Sequence, residues 1–257
     1  SHARFNFLRN EPPTTLWRYD GSFVAALNAA GLAAVAHDHV GHGASGGLRT
    51  YFASFDDLVA GALAVVDHAT ASLSLSGLPA FLCGHSMGGT VSLLTALARP
   101  DAFAGLALSS AATEPPASSF GLKGRLLTAA SGLLSWATPT LQVLELPRNT
   151  VQPELHELFV YDKLNSEVQL RARVGTEFLR AYADVAARAA DVKVPLLAMS
   201  GELDTLVHPE AAKRYARLVG SSDVTVRVCP GRWHNLLVEM RREEVWGTIR
   251  DWVLERC

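Results

Sequence analysis

The chain has 257 residues, 49% of them hydrophobic and 19% charged, a balance that excludes a disordered or fibrous protein and suits a single α/β domain with a sizeable core. With 23 basic against 25 acidic side chains, the net charge of -2 supplies no long-range field for nucleic acid or an anionic membrane, so a neutral or zwitterionic small molecule is the expected partner. Three cysteines, Cys83, Cys229 and Cys257, are odd in number and lack CxxC spacing; this argues against a disulfide framework or zinc site and for a reducing, cytoplasmic compartment.

Short apolar segments bounded by Gly, Pro or Ser alternate with longer stretches of helical period, the pattern of a mostly parallel sheet flanked by helices. In chain order, the expected elements are a strand Arg4 to Leu8, a helix Ser22 to Ala30, a strand Ala33 to His37 and a helix Phe55 to Ala71. A strand Ala80 to Cys83, a helix Gly88 to Ala98 and a strand Gly105 to Leu108 follow. No strand is expected from Thr113 to Ala190, a block that opens on a Pro/Ser-rich linker, continues with leucines and alanines over Gly121 to Trp136, and carries a charged amphipathic helix at Ser166 to Arg188. The alternation resumes with a strand Pro195 to Met199, a helix Pro209 to Val219, a strand Val224 to Cys229 and a helix Arg242 to Leu254. An insert of this size between two strands is expected to be a helical cap over the strand ends. Residues 1–112 and 191–257 then form an α/β core and 113–190 the cap, within one domain. No apolar run reaches the roughly 18 residues that span a bilayer, and the opening residues lack a signal-peptide profile.

The sharpest motif is Gly84-His85-Ser86-Met87-Gly88-Gly89, a G-x-S-x-G pattern lying between an apolar strand and a helical run. In that context Gly84 and Gly88 leave room for a sharp turn, Ser86 sits in a strained conformation at its tip, and the helix N-terminus points N–H groups at a reacting oxygen. A serine hydroxyl needs a base, and the base needs an orienting acid. Asp204, just past the strand Pro195 to Met199, and His234, just past Val224 to Cys229, complete the order Ser, Asp, His at three strand ends. Glu202 is the competing acid but lies earlier in its turn.

His37, His39 and His42 stand close enough to suggest metal ligation. Gly41 occupies the position where the metallohydrolase spacing H-x-H-x-D-H needs an aspartate, and no second histidine cluster supplies further ligands, so a hydrogen-bonded turn is expected and no metal. His85 reads as a packed neighbour of the nucleophile. The leucine-rich stretch Gly121 to Leu146 would line an acyl tunnel, or else form ordinary helix–helix core.

Together, Asp38-His39-Val40-Gly41-His42-Gly43-Ala44-Ser45, the Gly84 to Gly89 motif, Gly201 to Asp204 and Gly231 to His234 closely resemble the monoglyceride lipase and lysophospholipase family of the α/β-hydrolase superfamily. Leu146-Pro147-Arg148-Asn149 and Tyr161-Asp162 extend the likeness into the insert. The resemblance implies an eight-stranded sheet with a lipid-facing cap, no cofactor, and hydrolysis of an acyl ester of a monoacylated lipid, with transient membrane-surface contact through the cap. Short-chain carboxylesterase, thioesterase and a catalytically weak lipid or signal-molecule binder remain alternatives.

The resemblance also implies two departures. Of the two oxyanion-hole donors, Met87 is retained, but the position matched to the other falls on Pro12, which has no N–H. Losing one such donor costs about 100- to 1000-fold in rate. The segment before it is too short for the family's first hairpin, so the sheet is expected to lack its first two strands. At the polar end of the substrate site, Arg18 and Tyr161 match family positions, the acidic position of the first loop has become Thr14, and Leu237 stands where the family can carry a second histidine.

Overall fold

A computed structural model describes residues 7–10, 17–116, 122–145, 149, 151–162, 164–165 and 169–257. Among these, the centre is a four-stranded parallel sheet in the order β3 (Phe81–His85), β4 (Gly105–Ser109), β7 (Leu196–Gly201) and β8 (Val224–Cys229). Every residue of β4 and β7 is buried, as expected for central strands covered on both faces. One face carries α2 (Phe55–Ser72), α3 (Met87–Ala98) and α7 (Pro209–Ala216); the other carries α1 (Phe23–Ala29) and α8 (Arg242–Leu254).

Local chemistry explains the helix starts. Ser22 and Ser54 accept N–H bonds from Ala25 and Asp56, and Asp56 and Asp57 place negative charge in the first turn of α2. Helix α2 buries Phe55, Leu58, Ala62 and Ala69, one face of a 3.6-residue period. Helix α3 is buried from Gly89 to Leu97, because α2 and α6 (Ala172–Ala187) cover the side that the sheet does not.

Two expected strands differ. Residues 1–6 lie outside the described residues, and Phe7 and Leu8 are not in a strand; instead β1 (Arg9–Asn10) pairs antiparallel with β2 (Trp17–Arg18). Ala33 to His37 runs without strand pairing, and a cavity separates it from β3. Its Ala-Ala-Val-Ala composition offers little side chain to pack on a pleated surface.

The segment between β4 and β7 also differs. It contains α4 (Leu122–Ala137), α5 (Pro153–Tyr161) and α6, but also a pair of antiparallel strands, β5 (Gln142–Glu145) and β6 (Gln169–Arg171). The amphipathic helix expected from Ser166 begins at Ala172, since Gln169–Arg171 is taken up by β6. Among the described residues, no helix is long and apolar enough to cross a membrane.

Candidate active site

β3 ends at His85 and α3 begins at Met87, so Ser86 alone makes the turn, with φ 53° and ψ -118°. A positive φ on a non-glycine residue costs on the order of 1–3 kcal/mol and persists only where the surroundings enforce it. Here the Ser86 N–H donates to the Ser109 carbonyl (3.0 Å), while the Ser86 carbonyl accepts from Gly89 (2.9 Å) and Ala112 (3.1 Å). A Cβ on Gly84 would lie 2.4 Å from the Gly88 carbonyl oxygen, and one on Gly89 would lie 2.4 Å from Ala111 Cβ. Gly88 faces open space, so the glycines that the turn requires for close packing are Gly84 and Gly89.

Asp204 is buried three residues past β7. Its Oδ1 accepts the N–H groups of Leu206 and Val207, both at 2.9 Å, which leaves Oδ2 for His234 Nδ1 at 2.8 Å. A carboxylate only accepts, so the imidazole proton sits on Nδ1 and Nε2 is left to accept the Ser86 hydroxyl at 2.9 Å. Glu202 is occupied elsewhere: it is exposed and accepts the Gly231 N–H at 2.8 Å. The structure therefore brings Ser86, His234 and Asp204 into one hydrogen-bonded chain. The arrangement can abstract the serine proton and stabilise the resulting imidazolium.

The loop that carries His234 is held from below by a residue that sequence reasoning missed. Glu239, 1% exposed, accepts the Trp233 N–H at 2.9 Å and the Asn235 N–H at 2.7 Å, one on each side of the histidine. Burial pushes its carboxyl up, while the two N–H bonds act against that shift. The signal was an acid inside the apolar run Leu236-Leu237-Val238-Glu239-Met240, since a buried charge implies partners. From the insert, buried Gln152 accepts the Met240 N–H at 3.1 Å, and its own N–H donates to Asn149 Oδ1 at 2.8 Å.

His85 packs against His234, with ring centroids 4.9 Å apart; its Nδ1 lies 3.1 Å from the Ser109 carbonyl oxygen. Burial, then the nearby His234, pushes it down to about 3, so it is neutral at pH 7. In the expected turn, Asp38 Oδ2 accepts the Ala44 N–H at 2.9 Å, the Ser45 hydroxyl donates to the Asp38 carbonyl at 2.6 Å, and His37 Nε2 lies 3.1 Å from His39 Nδ1. Burial pushes His39 down to about 4 and lowers His37 and His42. Among the described residues, no three His, Cys, Asp or Glu side chains are grouped to hold a metal ion.

A cavity of about 1680 Å³ opens onto Ser86, Met87 and His234. The insert contributes Leu155, Phe159, Leu170, Val174 and Phe178 to its wall, and Phe52 adds to it from the loop before α2. Of Gly121 to Leu146, the stretch expected to line a tunnel, only Glu145 reaches the cavity among the described residues, while Leu126, Leu133 and Trp136 are exposed. α4 packs on α6 with one face and turns these apolar side chains outward.

The polar-end positions separate. Leu237 is buried in the core with Trp246 and Val245 and is not part of the cavity wall: residues 236–239 form a turn that sends both Leu236 and Leu237 inward. Arg18 is exposed on β2, away from the cavity wall. Tyr161 closes α5, with its side chain outside what is described, and Pro12 lies outside the described residues.

Fold and site together define a serine hydrolase of the α/β-hydrolase fold. A family model described as serine aminopeptidase, S33, matches residues 14–241. The chain is 32% identical over 226 residues to monoglyceride lipase from Homo sapiens (86% of this chain, 73% of that protein) and 29% identical over 254 residues to caffeoylshikimate esterase from Arabidopsis thaliana (94% and 74%). The solved monoacylglycerol lipase from Paleococcus ferrophilus superposes with a TM-score of 0.77 at 24% identity, covering 91% of this chain and 88% of that one. The chain belongs to this S33 family of α/β-hydrolases, in the group of serine ester hydrolases that holds the monoglyceride lipases.

Proposed function

We propose that the protein hydrolyses the acyl ester of a monoacylated lipid, a monoacylglycerol or lysophospholipid, through an acyl-Ser86 intermediate. The observation that carries the reading is the cavity of about 1680 Å³, walled by Leu155, Phe159, Leu170, Val174 and Phe178, with Ser86 and His234 on its surface. The apolar side chains that the segment between β4 and β7 adds to this wall suit a long acyl chain; polar groups, among them Asp38, His39, Asp67 and Arg99, line other parts of the same cavity. On this reading, residues 113–190 act as a cap over the core.

The Ser86 hydroxyl attacks the ester carbonyl carbon as His234 Nε2 takes its proton, and Asp204 stabilises the imidazolium. On this reading the carbonyl electron pair moves onto oxygen and the N–H of Met87, the first residue of α3, donates to it. Collapse breaks the bond to the alcohol, which leaves with the proton from His234. Water then gives up a proton to His234 as it attacks the acyl-serine; the acyl–Oγ bond breaks, Ser86 Oγ takes the proton back from His234, and the fatty acid leaves.

A second reading, an esterase for an aromatic acyl group, is favoured by Phe52, Phe159 and Phe178 on the cavity wall and by the likeness to caffeoylshikimate esterase. One assay separates the two: hydrolysis of a long-chain monoacylglycerol, a hydroxycinnamoyl ester and 4-nitrophenyl acetate by wild type and Ser86→Ala. Serine-dependent preference for the long chain is expected. Preference for the aromatic ester would replace the first reading with the second, and no cleavage of any of them would make a lipid-binding role the better account.

A further inference from the structure

Glu239 is the feature of the site that Ser, His and Asp do not account for. It sits in a turn, on no catalytic strand end, and it is 1% exposed. Burying a carboxylate is costly unless its oxygens find donors. Both oxygens are met, each by one backbone N–H, from Trp233 at 2.9 Å and Asn235 at 2.7 Å. Those two residues flank His234, so the backbone on either side of the histidine is fixed to a single rigid, planar group.

A turn of ordinary residues would be satisfied by water or by backbone partners. Here the loop must hold one side chain between two partners at once, with Nδ1 at 2.8 Å from Asp204 and Nε2 at 2.9 Å from Ser86. A displacement of about 1 Å at such a centre costs on the order of 100-fold in rate. Glu239 also interacts electrostatically with His234, and its negative charge favours the imidazolium formed in the reaction.

We infer that Glu239 is a positioning residue for His234, clamping the backbone on both sides of the base so that one imidazole orientation spans Asp204 and Ser86. The inference rests on the hydrolase reading for its rate effect, but not for its structural signature. Glu239→Gln is nearly isosteric, but it removes the charge and one of the two acceptors.

The test measures three quantities in wild type and Glu239→Gln: the far-downfield proton resonance of His234 Nδ1–H, the rate of Ser86 labelling by a fluorophosphonate, and kcat and KM on 4-nitrophenyl butyrate. The expected result is a shifted or broadened resonance, labelling and kcat lower by 10- to 100-fold, and KM within twofold, at temperatures where the variant is folded. A folded variant with labelling and kcat within twofold of wild type and an unmoved resonance would overturn the inference, leaving Glu239 as a stabiliser of the turn. If Glu239→Gln does not fold, Glu239→Asp, which keeps the charge but shortens the reach, carries the same two outcomes. Should the wild type cleave no ester, the proposed activity fails by itself, while the resonance and the labelling rate still report on Glu239.

Discussion

The carbonyl oxygen of Trp233 lies where a side chain on Gly201 would begin: a Cβ built there would be 1.6 Å away. The loop that carries Asp204 and the loop that carries His234 touch at this point. Gly201→Ala is expected to push them apart, at an overpacking cost of about 1–3 kcal/mol or more, and to lengthen the Asp204–His234 bond. Thermal unfolding and fluorophosphonate labelling should both fall; an unchanged labelling rate would show that the contact has no bearing on the site.

Ser86→Ala should abolish ester turnover, and Asp204→Asn should lower kcat by about 10,000-fold. Asparagine would still accept the Leu206 and Val207 N–H groups through its oxygen, so the fold should persist while the imidazole loses its acceptor. Steady-state kinetics with circular dichroism checks this. A kcat loss below tenfold for Asp204→Asn would point to another orienting acid.

The glycines around the Ser86 turn should separate in a stability assay. Gly88→Ala meets open space within α3 and should hold or raise the melting temperature, since Ala is favoured over Gly in a helix by up to about 1 kcal/mol. Gly89→Ala drives a methyl into Ala111 and should lower it. Equal shifts would contradict the packing described for α3.

Leu237→Ala should cost about 2–5 kcal/mol in urea unfolding, because Leu237 is a core residue. Activity per folded molecule should change little. A rise in KM without loss of stability would return Leu237 to the substrate site.

The pH dependence of stability follows from His85, whose folded-state value is pushed down from 6.5 to about 3. The unfolded chain therefore takes up a proton first, and stability present above pH 6.5 is lost as pH falls toward 3, at up to about 1.4 kcal/mol per pH unit. His39, pushed down to about 4, adds to the same window. Urea titrations at pH 7, 5.5 and 4.5 should show a shallower decline for His85→Gln than for wild type; equal slopes would sink this assignment.

What was legible in the sequence depended on how local the cause is. Val224 to Cys229 and Arg242 to Leu254 appear with the bounds expected, because alternation, β-branched residues and a helical stripe are encoded within each segment. The turn at Ser86 was legible because Gly84 and Ser86 announce a backbone constraint. Ala33 to His37 misled because four small apolar residues read as a buried strand, whereas strand pairing depends on what lies across the gap. β5 and β6 were missed because each is only three or four residues long, and their pairing joins Gln142 to Arg171 across the helix α5. Leu237 was placed at the substrate site and Glu239 was passed over for a similar reason: which side of a turn faces the core is set by φ and ψ, not by spacing from His234.

The hydrogen bond from the Met240 N–H to Gln152 has a consequence for how such a site diversifies. Gln152 belongs to the insert, and Met240 follows the residue that grips both flanks of His234. On the proposed reading, in which the insert selects the substrate, substrate range and reaction rate are thereby inherited together. Exchanging the insert for that of a relative lacking a matching acceptor at this position would strip one bond from the histidine loop, so new specificity would arrive with a slower base until position 152 was repaired.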